Sequence, residues 1–182
     1  KLRRQLGLDP SRQTLLLASG GMGYGPLEAL VRTLLTVDQS VACRVQVLVV
    51  CGQNRALAER LTHRCAGAPF PVLIFGFVDT MPQLMQASDL LITKAGGLTV
   101  MEALTVGLPM VFCGTIPGQE SFNAEYVVAH GAAVNASHPA EAVAQVLQLF
   151  AQPQRLEAMR QKATSLSRPH AAEDIAALMT SS

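Results

Sequence analysis

Along the chain, short apolar runs alternate with longer stretches in which apolar residues return every three to four positions. The runs at residues 14–18, 44–50, 72–75, 89–93 and 110–113 read as strands, with 132–134 a short sixth. Leu90-Leu91-Ile92 and Val47-Leu48-Val49-Val50 are unbroken, as in strands that helices cover on both faces. Between the runs, one helix is predicted from Pro26, a residue suited to the first helical turn, and others over 54–65, 81–87, 98–106 and 120–130. Three helical stretches close the chain, at 139–151, 153–165 and 170–179, with Pro153 and Pro169 as breaks. Repeated β-α-β units imply an α/β fold: a doubly wound parallel sheet with right-handed crossovers and a C-terminal helical tail.

Composition narrows the class. The 182 residues suffice for one sizeable core and favour a single domain over 1–182. A hydrophobic share of 49% against 15% charged residues suits a sheet covered on both faces. No apolar run approaches the ~18 residues that span a bilayer, and no signal peptide is legible. The formal net charge of +1 argues against a dedicated nucleic-acid binder. Lys1, Arg3 and Arg4 cluster at the start, which reads as a solvated end in preference to a lipid patch. Cys43, Cys51, Cys65 and Cys113 are widely spaced and show no zinc pattern, so reduced cysteines and a cytoplasmic setting are expected, with no metal. The chain begins at Lys1 and not at Met, which we read as a piece of a longer protein.

The chemistry concentrates in Lys94-Ala95-Gly96-Gly97-Leu98-Thr99-Val100-Met101-Glu102, followed by Gly107-Leu108-Pro109. Lys94 arrives at the carboxyl end of a predicted strand, the edge where open α/β sheets bind ligands. Gly96 and Gly97 let the backbone approach a ligand closely while the next helix aims free N–H groups at it, a seat for an anion. Glu102 lies one to two turns into that helix, where an ionised carboxylate can accept two hydrogen bonds from a cis-diol such as that of ribose. Gly107 and Pro109 end the helix. The competing reading is a helix start with a solvated Glu.

Other nucleotide signatures fail. The loop Ser19-Gly20-Gly21-Met22-Gly23-Tyr24-Gly25 does not make G-x-G-x-x-G, and the second strand ends in Val50-Cys51-Gly52-Gln53, without the acid that would hold an adenosine ribose. G-x-x-x-x-G-K-[ST] is absent, and Ser19 is no nucleophile elbow. Two glycine turns remain, joined at the same edge by Gly114-Thr115-Ile116-Pro117-Gly118-Gln119-Glu120. Gln119 and Glu120 could bind a sugar hydroxyl or cap their own helix. Phe75-Gly76-Phe77-Val78 could read a base edge, with Phe75 equally a core aromatic.

At these residues the chain resembles the C-terminal donor-binding half of GT-B glycosyltransferases. The group in question contains monogalactosyldiacylglycerol synthase, processive diacylglycerol glucosyltransferases and the N-acetylglucosaminyltransferase that makes lipid II. The resemblance runs from about residue 14 to 151. It is carried by Phe77-Val78-Asp79-x-Met81, by the block from Lys94 to Ala103, and by Gly107-Leu108-Pro109 with Pro117-Gly118-Gln119-Glu120-x-x-Asn123. It implies one Rossmann-like half of a GT-B fold, about six strands, and a membrane-associated enzyme of glycolipid synthesis that takes UDP-hexose and needs no cofactor. Phe77 and Val78 would meet the uracil, beside Met81. Gly97, Leu98 and Thr99 would serve the diphosphate with Lys94 as a nearby cation, Glu102 the ribose, and Gln119 with Glu120 the hexose. Gly21 and Gly23 would let their loop approach diphosphate and sugar.

In that group an N-terminal domain supplies the lipid acceptor groove, the membrane-docking surface and the catalytic base, and nothing in these 182 residues could encode it. No catalytic residue is therefore expected in this chain; His63, His130, His138 and His170 match no motif of the group. The full-length protein is expected on the cytoplasmic membrane face. Glucose, galactose and N-acetylglucosamine are not distinguished by these motifs. Two alternatives stand beside this reading: half of a UDP-sugar 2-epimerase, and a non-catalytic nucleotide-binding module.

Overall fold

The structure, a computed structural model, describes residues 1–180 except for the side chain of Gln119. Six strands, β1 (Gln13–Ala18), β2 (Val45–Val50), β3 (Val72–Phe75), β4 (Leu90–Thr93), β5 (Met110–Cys113) and β6 (Ala133–Ala136), form one sheet in the order β3-β2-β1-β4-β5-β6. Every pairing is parallel. The helices are α1 (Leu2–Gln5), α2 (Leu27–Leu34), α3 (Gln39–Ala42), α4 (Arg55–Arg64), α5 (Met81–Gln86), α6 (Gly97–Thr105), α7 (Gln119–Ala129), α8 (Pro139–Phe150), α9 (Pro153–Leu166) and α10 (Ala171–Thr180). The sheet winds outward in both directions from the β1–β4 pair, which makes their carboxyl ends the topological switch point.

Alternation along the strands builds two cores. Leu15, Leu17, Val47, Val49 and Ile92 join the layer with α2, α4 and α8, whereas Leu16, Leu48, Leu91 and Phe112 join the layer with α5, α6 and α7. Both faces of the central strands are thus apolar, and each fully buried Leu or Val contributes about 1.5–3 kcal/mol against conformational entropy. The helix α9 passes from one layer to the other, with Leu156 and Met159 in the first core and Ala163 in the second.

The amino edge is locked by satisfied polar groups. Gln46, buried in β2, donates to Thr14 Oγ1 at 2.9 Å and to the Asp9 carbonyl at 2.9 Å, and accepts from the Asp9 N–H at 3.0 Å. Asp89 accepts from the Thr14 N–H at 2.7 Å and pairs with Arg3 at 2.7 Å. That side-chain role explains why β4 starts at Leu90 and not at residue 89. Arg44 likewise stands outside β2, and β6 covers 133–136 where 132–134 was expected, because pairing with Phe112 and Cys113 draws in polar Asn135. The one-turn helices α1 and α3 escape a reading by periodicity because four residues cannot show one.

The expected stop of α6 is present: Gly107 has φ +67°, its N–H reaches the Leu104 carbonyl at 3.1 Å, and the Leu108 N–H reaches that of Ala103 at 2.8 Å. This is a Schellman closure, which a left-handed glycine permits. Among the described residues no helix is long and apolar enough to cross a membrane.

Candidate functional site

Three loops meet at the switch point. The loop after β1 folds tightly, with the Gly23 N–H donating to the Gly20 carbonyl at 3.0 Å, and is pinned to the end of β2 by the Gln53 N–H on the Gly21 carbonyl at 2.8 Å. Gly23 has φ +66°, and a Cβ there would overlap the Cys51 carbonyl, so only glycine fits. Gly21, by contrast, is exposed and a Cβ on it would meet nothing within 4 Å. The two glycines that the sequence treats alike therefore differ: Gly23 shapes the loop, and Gly21 faces open space. Just below, Ser19 Oγ is buried with no hydrogen-bond partner, unique in this among the described side chains. A lone serine offers no signal for this in the sequence.

After β4 the chain turns through Gly96 into α6, whose N-terminus carries no side-chain cap. The N–H groups of Gly97, Leu98 and Thr99 therefore point outward without intrahelical acceptors, with the positive end of the helix dipole behind them. Leu98 is 86% exposed, so its backbone and not its side chain is held in place by the fold. Thr99 is half-buried beside it. Glu102 follows on the same helix with an exposed side chain, and among the described residues no hydrogen bond or ion pair reaches its carboxylate. Neighbouring protein atoms still crowd the carboxyl enough for burial to raise its pKa above the usual glutamate value. A free, partly desolvated acceptor is well suited to hydroxyl donors.

Beside that helix start, Lys94 Nζ pairs with Glu120 Oε1 at 2.6 Å, the two side chains being 20% and 16% exposed. The other carboxylate oxygen of Glu120 accepts the Ile116 N–H at 2.8 Å. Asn123, one turn further along α7, donates to the Ala95 carbonyl at 3.0 Å and ties α7 to the β4–α6 turn. Asn123 belongs to the motif read from the sequence, but its bracing role shows only in three dimensions. Gln119 opens α7, and its side chain lies outside what the structure describes.

Phe77 follows β3 with 65% of its surface exposed, whereas Val78 and Met81 turn partly into the second core. Phe77 thus offers a flat apolar face, and Val78 its backbone. Of the histidines, His138 caps α8 just after β6, at the far β6 end of the carboxyl edge, while His130 ends α7 against Tyr126, His170 sits beside Glu173 and His63 lies at the end of α4. All four cysteines are free thiols. Among the described residues no cluster of three or more His, Cys, Asp or Glu side chains could hold a metal ion. The surface is an open shelf, flanked by a cleft between α6 and α7 lined by Gly97, Met101, Asn123 and Tyr126. Another groove, lined by Gln13, Val41, Arg44 and Phe150, opens at the opposite edge of the sheet. Chemically, the shelf can seat an anion on α6, hydroxyl groups on two carboxylates, and a planar ring near Phe77.

Comparison with known proteins bears on the same residues. Residues 14–176 match the family described as glycosyltransferase family 28 C-terminal domain. Monogalactosyldiacylglycerol synthase 1, chloroplastic, of Arabidopsis thaliana is 39% identical over 175 residues, covering 94% of this chain and 32% of that protein. The chain spans about a third of the length of such relatives. Among solved structures, Acinetobacter baumannii MurG superposes with a TM-score of 0.79 at 23% identity, over 100% of this chain and 53% of that one. A UDP-N-acetylglucosamine 2-epimerase from Listeria monocytogenes gives 0.70 at 15% identity, over 94% and 45%. At those identities the structures speak for the fold alone.

Proposed function

This chain belongs to the glycosyltransferase family 28 C-terminal domain family, and from that premise we propose that it is the UDP-sugar-binding half of a hexosyltransferase. The enzyme would pass galactose or glucose from UDP to a lipid hydroxyl such as that of diacylglycerol. The observation that carries this reading is the uncapped start of α6 at the switch point, with Glu102 on one side and the Lys94–Glu120 pair on the other. One shelf then seats diphosphate, ribose and hexose together.

In this reading Phe77 and the Val78 backbone take the uracil, with Met81 supporting them from the core. The N–H groups of Gly97, Leu98 and Thr99, with the Thr99 hydroxyl, take the diphosphate. Glu102 accepts from the ribose hydroxyls, and Gln119 and Glu120 take the hexose. The loop carrying Gly21 closes over diphosphate and sugar. Charge that develops on the departing UDP meets the fixed dipole of α6 as the glycosidic bond breaks. No cofactor or metal ion takes part, and the base that deprotonates the acceptor hydroxyl comes from a second, acceptor-binding domain outside these residues. That domain docks peripherally on a membrane, which we place at its cytoplasmic face. The relatives' names place those proteins in chloroplasts. The 2-epimerase alternative rests on likeness of fold alone.

The test is transfer of labelled hexose from UDP-galactose or UDP-glucose to diacylglycerol in mixed micelles. The full-length protein is expected to form glycolipid and this chain alone to form none. Absence of lipid product from the full-length protein, or turnover by the isolated chain, would overturn the reading.

A further inference from the structure

We infer that Lys94 is a positioning residue for hexose recognition, which acts by fixing the Glu120 carboxylate and does not contact the diphosphate. The inference rests on the donor-site reading above and assigns Lys94 a different partner from the phosphates that its place after β4 suggests.

Three observations converge. The Lys94 ammonium already has a carboxylate at 2.6 Å, with both side chains mostly buried. A charge-assisted bond of that length and shelter is among the stronger ones a site can hold. Second, the same carboxylate is held at its other oxygen by the Ile116 N–H at 2.8 Å, so two donors from two different loops fix the plane of the group. A carboxylate offers about four lone-pair positions, and two of these are taken. The remaining two, one on each oxygen, can accept from two adjacent hydroxyls of one sugar ring. Third, the anion seat is provided for independently by the uncapped α6 N-terminus, and Asn123 on the Ala95 carbonyl at 3.0 Å holds α7 at a set distance from it. A diphosphate seat and a diol seat are thereby built on two elements that are braced together. Lys94 runs past the loop after β1, its Cε 3.6 Å from where a Cβ on Gly20 would stand, so a glycine at 20 leaves the lysine its path to Glu120. The ligand class that follows is a nucleoside-diphosphate hexose with two free neighbouring hydroxyls.

The experiment is a calorimetric titration of this chain and of Lys94→Met, Glu120→Gln, the double variant and Lys94→Arg with UDP, UDP-galactose and UDP-glucose. Lys94→Met is expected to weaken a UDP-hexose about tenfold more than it weakens UDP. Glu120→Gln should do the same, the double variant should be no worse than Glu120→Gln alone, and Lys94→Arg should restore most of the loss. Thermal melts identify any variant that fails to fold, and Lys94→Arg keeps the test open in that case. Equal weakening of UDP and UDP-hexose by Lys94→Met would assign Lys94 to the diphosphate and overturn the inference. So would additive losses in the double variant, or no change in either ligand. Failure of the unsubstituted chain to bind UDP would instead strike the donor-site reading itself.

Discussion

Glu102 shows what a single side chain contributes and what the sequence leaves out. Its spacing from the glycine turn made it a candidate diol acceptor beside the reading of a solvated Glu, but spacing carries no information on how crowded its carboxyl is. Burial raises its pKa, which means the group takes up a proton at a higher pH than an ordinary glutamate. A protonated carboxyl gives up one acceptor position and its negative charge, so it holds a diol less tightly. Affinity for UDP-galactose, whose diphosphate has no ionisation of its own in this range, is therefore expected to fall as pH drops, beginning above the usual glutamate range, and Glu102→Gln should remove that onset. Calorimetry across pH 4 to 8 checks this; a profile unchanged by Glu102→Gln would exclude Glu102 from the site. Lys94 makes the complementary point. The sequence identified it as a cation near the anion seat, but its partner, Glu120, lies 26 positions away and is apparent only in the fold.

At the scale of elements, the strands were legible because buried parallel strands must be continuous and apolar. β3 and β5 fall on the expected residues, Val72–Phe75 and Met110–Cys113. What pattern could not reach was anything decided by a neighbour: the polar end of β6, recruited by β5, and the withdrawal of Asp89 to hold the Thr14 N–H. The glycine loop after β1 is the functional counterpart. Both Gly21 and Gly23 were legible as flexible positions, yet only Gly23 is confined, by its φ of +66° and by the Cys51 carbonyl. Gly23→Ala should cost about 1–3 kcal/mol of stability through backbone strain, more if the overlap is not relieved. Gly21→Ala should leave the melting temperature unchanged and weaken UDP-hexose binding, since the methyl group projects into the space where the sugar is proposed to lie. Paired thermal melts and titrations decide it: a destabilised Gly21→Ala, or one that binds normally, would contradict this division of labour.

Over the whole molecule, the candidate site residues gather at one end of the sheet. The amino edge is closed by the Gln46–Thr14–Asp9 and Asp89–Arg3 networks. Around the carboxyl edge stand the exposed apolar residues Met22, Tyr24, Phe77, Leu98, Ile116 and Phe122. In the half-enzyme reading, this rim faces the acceptor-binding domain, and the open shelf becomes a closed cleft only when the two meet. The α/β class was readable from the chain, and so was the carboxyl edge at which such sheets bind ligands, where the candidate residues gather. The bracing of α7 by Asn123 and the orphan Ser19 hydroxyl were not, since the first joins residues 28 positions apart and the second depends on how the fold buries one hydroxyl.

The central claim is that this edge is a UDP site with Glu102 on the ribose, and the most direct test is a calorimetric titration of the chain with UDP, with ADP and NADH as comparators. The account predicts binding of UDP in preference to both, weakened about ten- to a hundredfold by Glu102→Ala through loss of hydrogen bonds to a charged acceptor. UDP binding indifferent to Glu102, or no preference for UDP over ADP, would contradict it.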